Sequence, residues 1–157
     1  MTVHFEFDQD AQTVFDALTD PQYLVDRNLA LGELSAEAEM EEDEECTTLN
    51  VVREVRRELP SFLAKLFDPV QVMDMTEVWH PYQEGWRGEW KMDVRKQPVT
   101  ILASFELVPT ETGWRYSVAH RARAKIPLVG NKVEKYILGQ TSQGARDELE
   151  YLRSYLE

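Results

Sequence analysis

The chain changes its hydrophobic period once, and that change constrains the fold more than any other feature. From residue 86 to residue 126 apolar and polar residues alternate in successive segments. After Pro127 the apolar residues recur every three to four positions to the end. Alternation puts neighbouring side chains on opposite faces of a strand, and the longer period marks one face of a helix. In the cleanest segment Trp86, Gly88, Trp90, Met92 and Val94 share one face, with Arg87, Glu89, Lys91, Asp93 and Arg95 on the other. Val99, Ile101, Ala103, Phe105 and Leu107 repeat the pattern, as do Trp114, Tyr116, Val118, His120, Ala122 and Ala124. The turns between them, Gln97-Pro98 and Glu111-Thr112-Gly113, are too short for a crossover helix, so these strands are antiparallel neighbours. Beyond Pro127 the residues Val129, Val133, Tyr136, Ile137, Leu149, Leu152 and Leu156 form one stripe. A helix of ~30 residues there would be ~45 Å long, about the length of the sheet it must cover.

The first half carries the same two signals in shorter pieces. Val3, Phe5 and Phe7 alternate as a strand. Asp8 or Asp10 is placed to cap the helix of Val14, Phe15 and Leu18, and Asp20-Pro21 starts a second short helix anchored by Tyr23 and Leu24. Leu34, Ala36, Ala38 and Met40 form the inner phase of the next strand, and the acidic run 41–45 forms its turn. Residues 46–57 are a strand, Pro60 to Phe67 a short helical insert, and residues 71–81 a strand with Met73, Met75 and Trp79 in phase. The order predicts an α+β fold: an antiparallel sheet of about seven strands, two short helices after the first strand, and a long C-terminal helix on one face. With no linker or repeat, residues 1–157 are expected to form one domain.

Charge and cysteine usage exclude several function classes. The net charge is −12, which repels phosphate backbones and disfavours nucleic acid as a partner. The single cysteine, Cys46, permits no internal disulfide. No apolar stretch approaches the ~18 residues of a membrane span, and the opening segment lacks the basic and apolar regions of a signal peptide. A cytoplasmic protein without integral membrane association is expected.

Few residues carry an obvious chemistry. His4, His80 and His120 are far apart, and no paired metal-ligand spacing occurs, so neither metal nor cofactor is expected. Cys46 lies beside Glu44 and Glu45, which raise a thiol's pKa and blunt its reactivity. The acidic run from Glu37 to Glu45 lacks the glycine and ligand spacing of a calcium loop and is expected to be a solvated hairpin tip. Gly130-Asn131-Lys132 is not a phosphate-binding loop. Arg115, Arg121, Arg123 and Lys125 share the outer face of one strand and are expected to be balanced by acids on neighbouring strands. The informative polar residues are those on the apolar phase: Arg53 among Leu49, Val51 and Val55, Glu77 among Met73, Met75 and Trp79, and His120 among Tyr116, Val118 and Ala122. A charge placed inward must pair or line a wet cavity. Two readings follow: an internal Arg53–Glu77 ion pair with a hydrogen-bonded His120, or a set of groups that orients the polar end of a ligand.

Several stretches resemble a family of largely actinobacterial proteins known as a domain of unknown function, within the START-like (SRPBCC, helix-grip) superfamily. They are Leu59-Pro60-Ser61-Phe62-Leu63, Glu77-Val78-Trp79, the Gln97-Pro98 turn, and the run from Ile126 to Glu134. The resemblance implies a strongly curved sheet gripping the C-terminal helix, with a cavity between them that relatives use for lipids, sterols, polyketides or other apolar molecules. Small inner residues (Gly88, Ala103, Ala122 and Ala124) and the helix glycines Gly139 and Gly144 leave room for one. The expected function is binding of a small apolar or amphipathic molecule, with Trp79, Trp90, Phe105, Tyr116 and Ile137 as the apolar wall and Arg53, Glu77 and His120 as polar contacts. The alternatives are a polyketide cyclase or dehydratase-like enzyme using His120 with Tyr116 or Glu77 for acid–base work, and a protein-interaction module without a ligand.

Overall fold

The computed structural model describes residues 2–157. In chain order the elements are β1 (Thr2–Phe7), α1 (Ala11–Leu18), α2 (Pro21–Ala30), β2 (Ser35–Glu42), β3 (Thr47–Arg56), α3 (Ser61–Ala64), β4 (Val70–Tyr82), β5 (Gly85–Val94), β6 (Val99–Pro109), β7 (Trp114–Ala124) and α4 (Gly130–Leu156). The seven strands form one antiparallel sheet in the order β1-β7-β6-β5-β4-β3-β2. This is the α+β, helix-grip-like arrangement: a curved sheet, a long C-terminal helix and short helices. Because β1 pairs with β7 and β2 lies at the opposite edge, the chain between β1 and β2 must cross the whole sheet, and α1 and α2 make that crossing. In consequence α1 rests against β6, α2 against β2, and α4 against β7 and β1.

Local chemistry starts the helices where the sequence places them. The Asp10 carboxylate accepts from the Thr13 N–H at 2.8 Å, and Asp20 accepts from Gln22 at 3.0 Å with Pro21 in the first turn. The long helix starts at Gly130, slightly later than expected, because Leu128 adopts a left-handed φ of 70° that breaks the run.

The inner phase of β5 and β6 is buried as the alternation predicts, and Val133, Leu149 and Leu152 of α4 are buried in the same core. Four expectations need correction. Ile137 is only half-buried. Leu34 and Met40, expected inward, are 46% and 41% exposed, since β2 is an edge strand with one neighbour to cover it. Gly139 faces solvent, and of the two helix glycines only Gly144 lines the interior. Gly88 makes no room: a Cβ there would overlap the Val78 carbonyl oxygen and come within 2.6 Å of the Phe105 ring.

One end of the interior is filled by aromatic rings. Phe15 of α1 stacks on Trp86 with ring centres 4.3 Å apart and meets Trp79 edge-on at 5.4 Å. Trp79 in turn lies 4.6 Å from Phe105, and Phe105 lies 5.8 Å from Tyr116. These are favourable offset and tilted geometries, and Trp79 is 1% exposed.

Candidate functional site

The other end of the same sheet face is hollow. A chamber of about 300 Å³ lies between β3, β4, β5 and β7 on one side and α2 and α4 on the other. Its apolar floor comes from alternate residues of adjacent strands: Val51, Met73, Met75, Trp90, Met92 and Val118. Its roof is the Gly144 turn of α4, where a Cβ would meet nothing within 4 Å. The rim carries the exposed residues Leu31, Gly32, Arg56 and Gln143, so the chamber opens beside the α2–β2 junction.

A chain of four charges crosses this space. Arg53 Nε donates to both Glu33 carboxylate oxygens at 3.1 Å, and its Nη2 donates to Glu33 Oε2 as well. The same Nη2 lies 3.6 Å from Glu148 Oε1, and Glu148 Oε1 lies 3.2 Å from Arg27 Nη2. Side-chain exposures of 10–20% make the network largely buried. It ties β3, the segment before β2, α4 and α2 together around the cavity. Burial opposes the Arg53 charge, but Glu148 and Glu33 outweigh it and hold the guanidinium above its usual pKa. Burial likewise pushes Glu148 up, and Arg27 and Arg53 more than reverse this, leaving it below the usual carboxylate range. Both groups are therefore ionised at neutral pH.

Glu77 has the opposite balance. Its only hydrogen-bond donor among the described residues is the Trp79 indole Nε1–H, at 3.1 Å from Oε2. Burial pushes the carboxyl up to about 7, against smaller downward pulls from that indole and from Arg27. Glu77 is thus a titrating group inside the chamber at physiological pH. Burial holds His120 down to about 4, so its imidazole is neutral, and its ring centre lies 5.6 Å from that of Trp90. Burial raises the Tyr116 phenol well above its ordinary value. Asn28 is 1% exposed and lines the chamber. Arg27 Nε donates to its Oδ1 at 3.0 Å, which leaves Nδ2 as a donor with no acceptor among the described residues.

Of the residues expected at a site, Arg53, Glu77, Trp79, Trp90, Tyr116 and His120 all line the chamber. Phe105 does not. It packs beneath Trp79 and fills the space that Gly88 leaves. Ile137 lines a separate apolar hollow of about 40 Å³ with Leu63, Val133 and Tyr136. The expected Arg53–Glu77 ion pair is absent, and strand register is the reason. Arg53 sits opposite Met73 and Glu77 opposite Leu49, four residues along the pair or about 13 Å. Arg27, Asn28, Glu33 and Glu148 were missed by sequence reasoning. A signal existed for two of them. Arg27 follows Tyr23 by four residues and Leu24 by three, and Glu148 follows Gly144 by four, so each shares the inward face of its helix. The rule that exposed Arg53 and Glu77 on strands applies equally to helices. Among the described residues no group of three or more His, Cys, Asp or Glu side chains is arranged to hold a metal ion.

The fold and chamber together define a class: a helix-grip-like α+β protein with a polar-walled interior. The chain belongs to the family described as protein of unknown function (DUF2505), which it matches over residues 2–156. Among solved structures it is similar to protein CV1439 from Chromobacterium violaceum, with a TM-score of 0.55 at 14% identity, covering 99% of this chain and 94% of that one. A conserved protein from Geobacillus kaustophilus gives a TM-score of 0.53 at 12% identity, covering 98% and 91%. At these identities the likeness is one of fold. No curated protein sequence matches the chain. None of its helices is long and apolar enough to cross a membrane among the described residues.

Proposed function

We propose that this chain is a START-like binding protein that holds a small amphipathic molecule in the chamber between sheet and α4, working in the cytoplasm. The observation that carries the proposal is the chamber itself, about 300 Å³ in volume, with an apolar floor and an orphaned buried donor on Asn28 in its wall. That volume is at the lower end for small-molecule sites. Buried donors in folded proteins are nearly always satisfied, so an orphaned one inside a cavity marks a place for an acceptor. The charged network has its own partners and fixes the elements around the chamber to one another. The ligand therefore meets a preformed space.

Two measurements test this reading. Native mass spectrometry of protein from its own host should show a retained small molecule. Nile red should bind the purified chain and quench indole fluorescence, because Trp79 and Trp90 line the chamber. Gly144→Phe places a ring in the open space under α4 and should abolish dye binding while the fold persists. Dye affinity unchanged by that substitution would place the dye elsewhere and remove the chamber from the proposal.

Glu77 favours a second reading, an acid–base enzyme of the polyketide cyclase or dehydratase kind. A carboxyl with a pKa near 7 facing a cavity is suited to proton transfer at neutral pH. The neutral His120 and Tyr116 face the same space. The readings separate on the retained molecule: an enzyme converts it in a reaction that Glu77→Gln stops, and a carrier releases it unchanged.

A further inference from the structure

Four arginines line the chamber, and they are not equivalent. Arg27 and Arg53 are committed to Glu148 and Glu33. Arg56 is exposed on the rim. Arg57 is half-buried, and its guanidinium has no ion pair or hydrogen bond among the described residues; only its backbone N–H is engaged, with Pro69 O at 2.8 Å. It stands where the two hollows meet. Arg57, Met73, Gln140 and Thr141 line both the 300 Å³ chamber and the 40 Å³ apolar hollow beyond it. Burial, and then the neighbouring Arg53, hold its pKa below the ordinary arginine value, and the opposing pull of Tyr136 and of the Glu33 carboxylate does not restore it.

We infer that Arg57 anchors a carboxylate and that the ligand is a small carboxylate-bearing amphiphile, with its apolar chain lying along the methionine-rich floor. This rests on the chamber being a ligand site, as proposed above. A half-buried guanidinium offers a planar fork of donors that matches one carboxylate. A phosphate dianion fits less well, because Glu33, Glu77 and Glu148 line the same chamber and repel a second negative charge. The net charge of −12 does not forbid an anion. Exposed charges farther away than the Debye length of ~8 Å are largely screened at physiological salt, so the local guanidinium decides. The methionines at positions 73, 75 and 92 give an adaptable surface for an alkyl chain.

The test is displacement of Nile red from the intact chain at pH 7.5 by octanoate, octan-1-ol and octyl phosphate. Octanoate should bind at least tenfold more tightly than octan-1-ol and more tightly than octyl phosphate. Arg57→Gln should bring octanoate down to the level of octan-1-ol and leave octan-1-ol unchanged, which also reports an intact chamber. Arg57→Lys should retain part of the preference. Octan-1-ol binding as tightly as octanoate to the wild type would overturn the inference while leaving the chamber as a ligand site, as would a carboxylate preference that survives Arg57→Gln. Tighter binding of octyl phosphate would replace the carboxylate with a phosphate. If neither Nile red nor any of the three compounds binds the wild type, the ligand-site proposal fails and this inference with it.

Discussion

Glu77 and Trp79 stand two residues apart on β4, face the same side of the sheet and both touch the chamber, yet their surroundings differ. Around Trp79 the rings of Phe15, Phe105 and Tyr116 close the space, and at Gly88 the Val78 carbonyl oxygen and the Phe105 ring occupy the place of a side chain. Around Glu77 the wall is charged, the helix above carries Gly144, and a Cβ there would touch nothing within 4 Å. Strand periodicity is the same at both ends. What differs is the helix facing the strands. Where α1 delivers Phe15 the end is packed. The turn of α4 that carries Gly144 and Glu148, with Arg27 of α2, leaves the other end open and polar. An inward-pointing residue is thus filler or wall according to its opposite neighbour, a fact that alternation cannot report.

That contrast can be broken by truncation. Phe105→Ala at the packed end should cost about 3–5 kcal/mol, the usual range for a large ring removed from a close-packed core. Met75→Ala, whose side chain already faces empty space, should cost no more than about 1–2 kcal/mol. Urea unfolding of the two variants reads the difference, and equal losses would mean that the chamber end is packed as well. The charged wall should be as intolerant as the rings. Glu148→Ala removes the carboxylate that pairs with Arg27, leaves Arg53 with Glu33 alone, and should cost roughly 3–5 kcal/mol.

The next effect depends on pH. The folded-state pKa of Glu77 is about 7 against an ordinary 4.5, so the folded chain keeps a proton that the unfolded chain has lost between those values. The contribution of Glu77 to stability therefore falls as pH rises from 4.5 to 7 and changes little above 7. Glu77→Gln cannot ionise and can still accept from the Trp79 indole. It should match wild type near pH 4.5 and exceed it by roughly 3 kcal/mol at pH 8. The depressed pKa of His120 acts in the opposite direction but is present in both proteins, so it cancels in the comparison. A stability difference that does not change with pH would mean that Glu77 is solvated.

The smallest effect compares two glycines. Gly144→Ala adds a methyl group to open space and removes the helix penalty of glycine, for a gain of up to about 1 kcal/mol. Gly88→Ala collides with the Val78 carbonyl and the Phe105 ring and should destabilise. Thermal midpoints shifting in opposite directions would confirm that the two glycines serve opposite purposes, and a loss at both would place a close neighbour against Gly144.

Much of this architecture is legible from local pattern. Alternation in β4 to β7, the short turns and the change of period at Pro127 are enough for an antiparallel sheet under a long helix, because each reflects only the geometry of neighbouring residues. The same alternation marks Arg53, Glu77 and His120 as inward polar groups. Their partners are another matter. The sequence neighbours of Arg53 point to β4, whereas its carboxylates come from Glu33, twenty positions before it, and from Glu148, ninety-five positions after it. Register puts Arg53 and Glu77 about 13 Å apart, and no periodicity within either strand contains that offset. The chain alone specifies the elements and the faces they bury, since these depend on propensity and period over a few residues. The hollow, the four-charge network and the setting of Arg57 exist only once β1 has paired with β7 and brought α2 and α4 over the far strands, because each depends on what stands across a gap from residues distant in the chain.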